Sequence, residues 1–263
     1  MKHLIKLGAA AAFMGAAFAP LGEARAADPA AGTATERRPV DARVVRVKLE
    51  GVVDLRIRQG ATPALVLSGD PRLVGRTVST QRGDLLAIET EGRNSGMSFG
   101  RSGGVQAELV LPGLRAVSSE SVGATTVSGF SGDSLEINLD GAGSMNVSSD
   151  YRNITASLGG VGSLKIQGID SERIDLNLGG AGYVTLSGRS KQLRAELGGL
   201  GSLDAQAMPA DAVTLELSGL GNATVHARSS ASLALSGMGS VTVFGKPANR
   251  KVVLDGLGKV SWK

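Results

Sequence analysis

Six carboxylates, Asp140, Asp175, Glu196, Asp204, Glu216 and Asp255, fall on positions that alternate with apolar ones in a repeating sequence. Two carboxyl groups about 5 to 10 Å apart beside a groove are what glycoside hydrolysis requires. If neighbouring repeats stack, Asp204 comes near Lys165 or Thr224, and Glu196 near Asp175 or Glu216. A polysaccharide-active β-helix enzyme using outward carboxylates is therefore one reading. Sugar rings pack on aromatic faces, however, and only Tyr183 and Phe244 are placed to look outward. The chain has no cysteine, and His226 is its one histidine beyond residue 26, so zinc sites built on His and Cys and Cys-His nucleophiles are excluded. His226 stands on the outward side just after a strand, where an exposed polar residue is a better description than a general base. The many Gly-x-Gly triplets lack the third glycine and the following helix of a dinucleotide fingerprint. No catalytic residue, cofactor or metal is expected, and the balance favours a protein that is not an enzyme.

A second set of residues suits binding rather than catalysis. Ser144, Ser163, Ser202, Asn222 and Ser240 form one row, with Tyr183 at the same repeat position. Thr126, Asn146, Lys165, Thr185, Asp204, Thr224 and Thr242 form the next. From these rows Ser144, Ser163, Tyr183, Thr185, Ser202, Asn222, Thr224, Ser240 and Thr242 make a candidate interaction face for a glycan or another envelope protein. Solubility alone would use the same residues.

What must position these rows is a repeat. An apolar residue between two glycines recurs from Gly141-Ala142-Gly143 to Gly256-Leu257-Gly258, after a degenerate first copy at Ser121-Val122-Gly123. The second glycines, Gly143, Gly162, Gly182, Gly201, Gly221, Gly239 and Gly258, are spaced by 18 to 20 residues. Each unit is a strand of alternating apolar residues, a glycine corner and a second alternating strand. Leu135, Ile137 and Leu139 correspond to Ile174, Leu176 and Leu178, and Met145 and Val147 to Leu164 and Ile166. Equal spacing stacks such units into continuous apolar rows. The spacing predicts an all-β, parallel β-helix-like solenoid of about eight coils over residues 113–263. The corner glycines are expected to serve backbone angles or close approach, with the residue between them turned inward to fill the corner. Trp262 takes the inward position of Val225 and Val243, so its ring is expected to lid the last coil, with Lys259 and Lys263 guarding the edge.

Upstream, residues 40–112 read as a β-strand cap region of the same domain. Val45, Val47 and Leu49, then Val53, Leu55 and Ile57, alternate, with Gly69-Asp70-Pro71 as a turn. Gly92 to Gly104 reads as a mobile loop. Residues 27–39 read as a flexible leader. Ahead of them Lys2 and Lys6, an apolar run from Leu7 to Ala19 and Ala24-Arg25-Ala26 make a secretory signal peptide over 1–26, with cleavage after Ala26. The run is too short to span a bilayer, and no transmembrane segment is expected in the mature chain.

Cleavage removes Lys2, Lys6, Arg25 and Glu23 and lowers the formal charge from +4 to +2. Basic residues are scattered, without interleaved aromatics, so nucleic acid is not an expected partner. Export without cysteine leaves stability to the core.

The repeated Leu-x-Gly-x-Gly units, with the closing Val241-Thr-Val-Phe-Gly-Lys-Pro247 and Leu254-Asp-Gly-Leu-Gly-Lys-Val260, resemble the head GIN domain family of auto-transporter adhesin heads. The resemblance runs roughly from Val44 to Trp262. It implies a parallel β-helix-like fold in bacterial envelope proteins and supplies no catalytic residues. The residue between the glycines is usually a small Ser or Ala in that family, and here it is often Leu, Val or Met. With the last coil running to Lys263, no translocator barrel is expected. The sequence thus suggests an exported, periplasmic or surface-displayed envelope module for interaction or adhesion, its partner and oligomeric state unspecified. A purely structural scaffold is the further alternative.

Overall fold

The computed structural model describes residues 33–90 and 104–263. The signal peptide, its cleavage after Ala26, residues 27–32 of the 27–39 leader and nearly all of the Gly92 to Gly104 loop lie outside the described residues. The described strands join in a single sheet that coils on itself.

The front of the molecule holds β1 (Ala34–Arg38), β2 (Arg46–Gly51), β3 (Val53–Gln59), β4 (Ala64–Gly69), the short helix α1 (Pro71–Arg76), β5 (Thr77–Arg82), β6 (Leu85–Thr90), β7 (Val105–Leu111) and β8 (Ala116–Ser121). β2 pairs in parallel with both β6 and β8, and β3 with both β7 and β9 (Ala124–Leu139). The β2–β3 turn is therefore already solenoid, held between a turn that follows it in sequence and the main stack. Antiparallel strands then close the front, β5 on β6, β4 on β7 and β1 on β4. Two expectations change here. Residues 34–38 are strand rather than leader, since β4 offers them an edge. Gly69-Asp70-Pro71 starts a helix rather than a simple turn. The Asp70 side chain accepts a hydrogen bond from the Arg72 amide at 2.8 Å and Pro71 sits where a helix needs no N–H.

Beyond β9 each strand wraps one full coil: β10 (Ser144–Leu158), β11 (Val161–Leu178), β12 (Ala181–Leu197), β13 (Leu200–Leu217) and β14 (Leu220–Leu235). Three shorter strands, β15 (Met238–Phe244), β16 (Asn249–Leu254) and β17 (Lys259–Trp262), finish the stack. Neighbours pair in parallel and in the register that the repeat predicts. Leu135, Ile154, Ile174, Leu193 and Val213 fall into one column, and Met145, Leu164, Val184, Leu203, Ala223 and Val241 into another. All of them are buried, each contributing on the order of 1.5–3 kcal/mol if large. The all-β solenoid is as expected, with about seven turns. Trp262 aligns with Val243 and packs, half-buried, against the core.

Each coil turns at two corners of different construction. The first is the glycine triplet. Alternation runs through it unbroken: Leu158 and Leu164 face inward, so Gly160 and Gly162 share their parity and Val161 faces out. A Cβ on Gly162 would overlap the Gly143 carbonyl oxygen, and one on Gly199 that of Gly180. None of the triplet glycines has a positive φ, so these residues are glycine for close approach between coils. The opposite corner interrupts the register between Ile166 and Ile169 and between Thr185 and Ser190. There Gly168 has φ +74°, a conformation that L side chains resist, with only the Ser148 hydroxyl, 3.9 Å away, near where a Cβ would stand.

Candidate functional site

The expectation that the residue between the glycines fills the corner is overturned by that parity. In place of a filled corner the solenoid carries a ridge along its edge, formed by Val122, Ala142, Val161, Ala181, Leu200, Leu220, Met238 and Leu257. Val161, Leu200, Met238 and Leu257 are 64%, 59%, 55% and 84% exposed. The side chains stand in register, Val161 beside Ala181, and Leu220 between Leu200 and Met238, one coil apart at roughly 4.8 Å. Isolated exposed apolar residues are ordinary, but a continuous line of them is a feature of interaction surfaces. The sequence held the signal for this: counting by twos from Met145 or Leu164 puts both glycines on the inward side and the residue between them outward.

The hydroxyl and amide rows lie immediately beside the ridge. Ser144, Ser163, Tyr183, Ser202, Asn222 and Ser240 align, as do Asn146, Lys165, Thr185, Asp204, Thr224 and Thr242. None of them is buried. Side chains are tied within and between the rows: the Ser240 hydroxyl donates to Asn222 Oδ1 at 2.6 Å along one row, and the Tyr183 hydroxyl to Asp204 Oδ2 at 3.2 Å across to the next. Ridge and rows together form a lateral surface with aliphatic knobs, glycine backbone and neutral hydrogen-bonding groups. Its charges, Lys165 and Asp204, are sparse. All seven corner glycines, Gly143, Gly162, Gly182, Gly201, Gly221, Gly239 and Gly258, underlie the ridge.

The carboxylates are brought together only in part. Asp204 lies between Thr185 and Thr224, one coil further from Lys165 than expected. Glu196 pairs with Glu216 and with Asn177, whereas Asp175 pairs with Arg194. Arg194 sits against the glutamates, 2.7 Å from Glu196 and 3.7 Å from Glu216. The hydrogen bond to Glu196, and then the charge of both glutamates, holds its guanidinium above the ordinary arginine range. A proton-transfer pair needs carboxyls held apart in affinity within a pocket, and here one arginine bridges both on an exposed face. Among the described residues, no three His, Asp or Glu side chains gather as a metal site would require. His226 lies between Pro209 and Phe244 on neighbouring coils, without a hydroxyl or carboxylate partner at its register position. Other charges pair on the opposite corner, Arg189 with Asp170 and Lys191 with Glu172.

This geometry finds its place among known proteins through a family model described as "Putative auto-transporter adhesin, head GIN domain", which matches residues 45–247. The chain belongs to the head GIN domain family. No curated protein matches it. Solved structures show the same fold. A putative adhesin from Bacteroides fragilis is 20% identical, with a TM-score of 0.65 over 89% of this chain and 99% of that one. A putative adhesin from Parabacteroides distasonis is 17% identical, with a TM-score of 0.79 over 88% and 97%. A third structure, described as a putative lipid binding protein from Parabacteroides distasonis, is 16% identical with a TM-score of 0.76 over 87% and 96%. In this head GIN chain the match takes in most of the ridge, while β16, β17 and Leu257 lie beyond it. No described helix is long and apolar enough to cross a membrane.

Proposed function

We propose that this head GIN chain is an exported, non-enzymatic binding module of the cell envelope, which meets another envelope protein along the ridge and the rows beside it. The observation that carries this reading is the ridge itself. Large aliphatic side chains are held outward at fixed intervals on a rigid corner, and the fold does not need them there. Adhesin-type relatives and the signal-like residues 1–26 support placement in the envelope. Scarcity of aromatics favours a protein over a glycan as the partner, and the arginine bridge across Glu196 and Glu216 weighs against polysaccharide cleavage.

The test compares the mature chain, residues 27–263, with a Leu200→Ser, Leu220→Ser, Met238→Ser variant. Both are fluorescently labelled and titrated onto envelope fractions with and without prior protease treatment. Saturable binding that falls roughly tenfold or more in the variant, and is lost from protease-treated envelopes, is expected. The variant should unfold at the same urea concentration as the parent. Equal binding by the two chains overturns the ridge as the contact surface. A Thr185→Ala, Thr224→Ala, Thr242→Ala variant asks the same of the neighbouring row, with a smaller loss expected.

A further inference from the structure

The far end of the stack finishes differently from the front. Among the described residues β16 pairs with β14 on one side and β17 with β15 on one side, and no strand takes up their outer edges. Every residue of β16 is exposed. Val252 aligns with Leu233 and Leu254 with Leu235, whose side chains are buried. Val252 and Leu254 themselves are 39% and 50% exposed. Among the described residues the core columns therefore end on apolar side chains beside a row of backbone N–H and C=O groups without a strand partner, and both are satisfied by the same thing, another strand.

Charge selects the occupant. From Gly245 to Lys263 stand Lys246, Arg250, Lys251, Lys259 and Lys263 against Asp255. Two such ends set face to face would repel. Head-to-tail stacking fares no better, because β1, α1 and β5 at the front carry Arg37, Arg38, Arg72, Arg76 and Arg82 against Glu36. An anionic lipid surface would match the charge and leave the backbone groups of the edge unsatisfied.

We propose that β16 is a docking edge for an extended, acidic segment of a partner protein. The segment adds as the next strand, lays its apolar side chains over Val252 and Leu254, and sets its carboxylates on the alternate face, which Lys251 and Lys259 share. This site is separate from the ridge and stands or falls independently of it.

Trp262 is the only tryptophan, and the Arg250 guanidinium lies 4.4 Å from its ring, so its fluorescence reports on this end. The mature chain is titrated with a nine-residue synthetic peptide of alternating Val and Glu. Comparison peptides replace Glu by Lys or carry N-methyl groups on alternate amides. Phosphatidylglycerol vesicles and sedimentation of the chain alone complete the set. A saturable shift in Trp262 emission with the acidic peptide is expected, absent with the basic and N-methylated peptides. A Lys251→Glu, Lys259→Glu variant should bind roughly tenfold more weakly. Equal binding of the N-methylated or basic peptide overturns the proposal. So does a response to vesicles but not to peptide, which would make the end a membrane contact, or concentration-dependent self-association, which would make it a contact between copies. Silence with every probe also overturns it.

Discussion

The two corners of each coil solve the same problem, reversing the chain, with different physics. At the triplet corner the backbone keeps the strand's alternation and the coils come so close that only hydrogen fits on the inward side. The opposite corner breaks the alternation, varies in length from coil to coil and calls on left-handed glycine conformations in some coils, as at Gly129 and Gly168. Side chains fill it instead: Tyr151, Ser171 and Ser190 are buried there. One corner is fixed by what cannot be present, the other by what each coil supplies for itself. That difference explains why a regular surface follows the first corner and a patchwork of local ion pairs surrounds the second.

The tight approach at the triplet corner is most exposed to substitution at Gly199. Its replacement by Ala sets a methyl group against the Gly180 carbonyl, with backbone rather than a side chain to yield. A loss of about 3 kcal/mol is expected from urea unfolding. The adjacent Gly198 is the control, since its Cβ would meet only the Ser218 hydroxyl at 3.7 Å. Gly198→Ala should stay within about 0.5 kcal/mol of the parent. Equal costs at the two positions would remove close approach as the reason for the triplet.

At the opposite corner the cost should be conformational and open to rescue. Gly168→Ala is expected to cost about 1 kcal/mol, and Gly168→Asn less, because Asn tolerates the left-handed region. Gly199→Asn should show no such recovery. A Gly168→Asn variant as damaged as Gly168→Ala would count against the distinction.

Tyr151 gives the most specific effect. Its hydroxyl donates to the Leu114 carbonyl at 2.6 Å, tying the second corner to the segment before β8. Tyr151→Phe should cost about 1 kcal/mol. Burial pushes the phenol up to about 12 from the ordinary 10.0. Because the folded state holds this proton more tightly, its contribution is complete below pH 10 and declines as the pH rises toward 12. Unfolding followed across that window should show a Tyr151-dependent loss that the Phe variant lacks.

Much of this fold was legible because strand alternation and glycine spacing are local properties repeated many times. Pairing Leu176 with Ala195, or Ser202 with Asn222, follows from counting. The front end was harder. Nothing local to Val47 or Ile57 shows that β6 and β7 will pair along their outer sides, because the order of stacking is a tertiary choice. Asp70-Pro71 did carry a helix-start signal, and α1 is too short for a 3.6-residue period to reinforce it. The ridge was readable and misread: treating the triplet as a break in the strand hid the parity that runs through it. Glu196 and Glu216 were placed together from sequence, whereas the arginine between them depends on side-chain geometry that spacing does not give.

That parity has a bearing on how the protein can change over generations. Within a single tripeptide the outer positions are locked by the fold and the middle one is nearly free of it. Val161, Ala181, Leu200 and Met238 occupy equivalent sites without altering the register around them. Selection can therefore rewrite the ridge one residue at a time and meet new surfaces, while the shape that presents them is inherited unchanged.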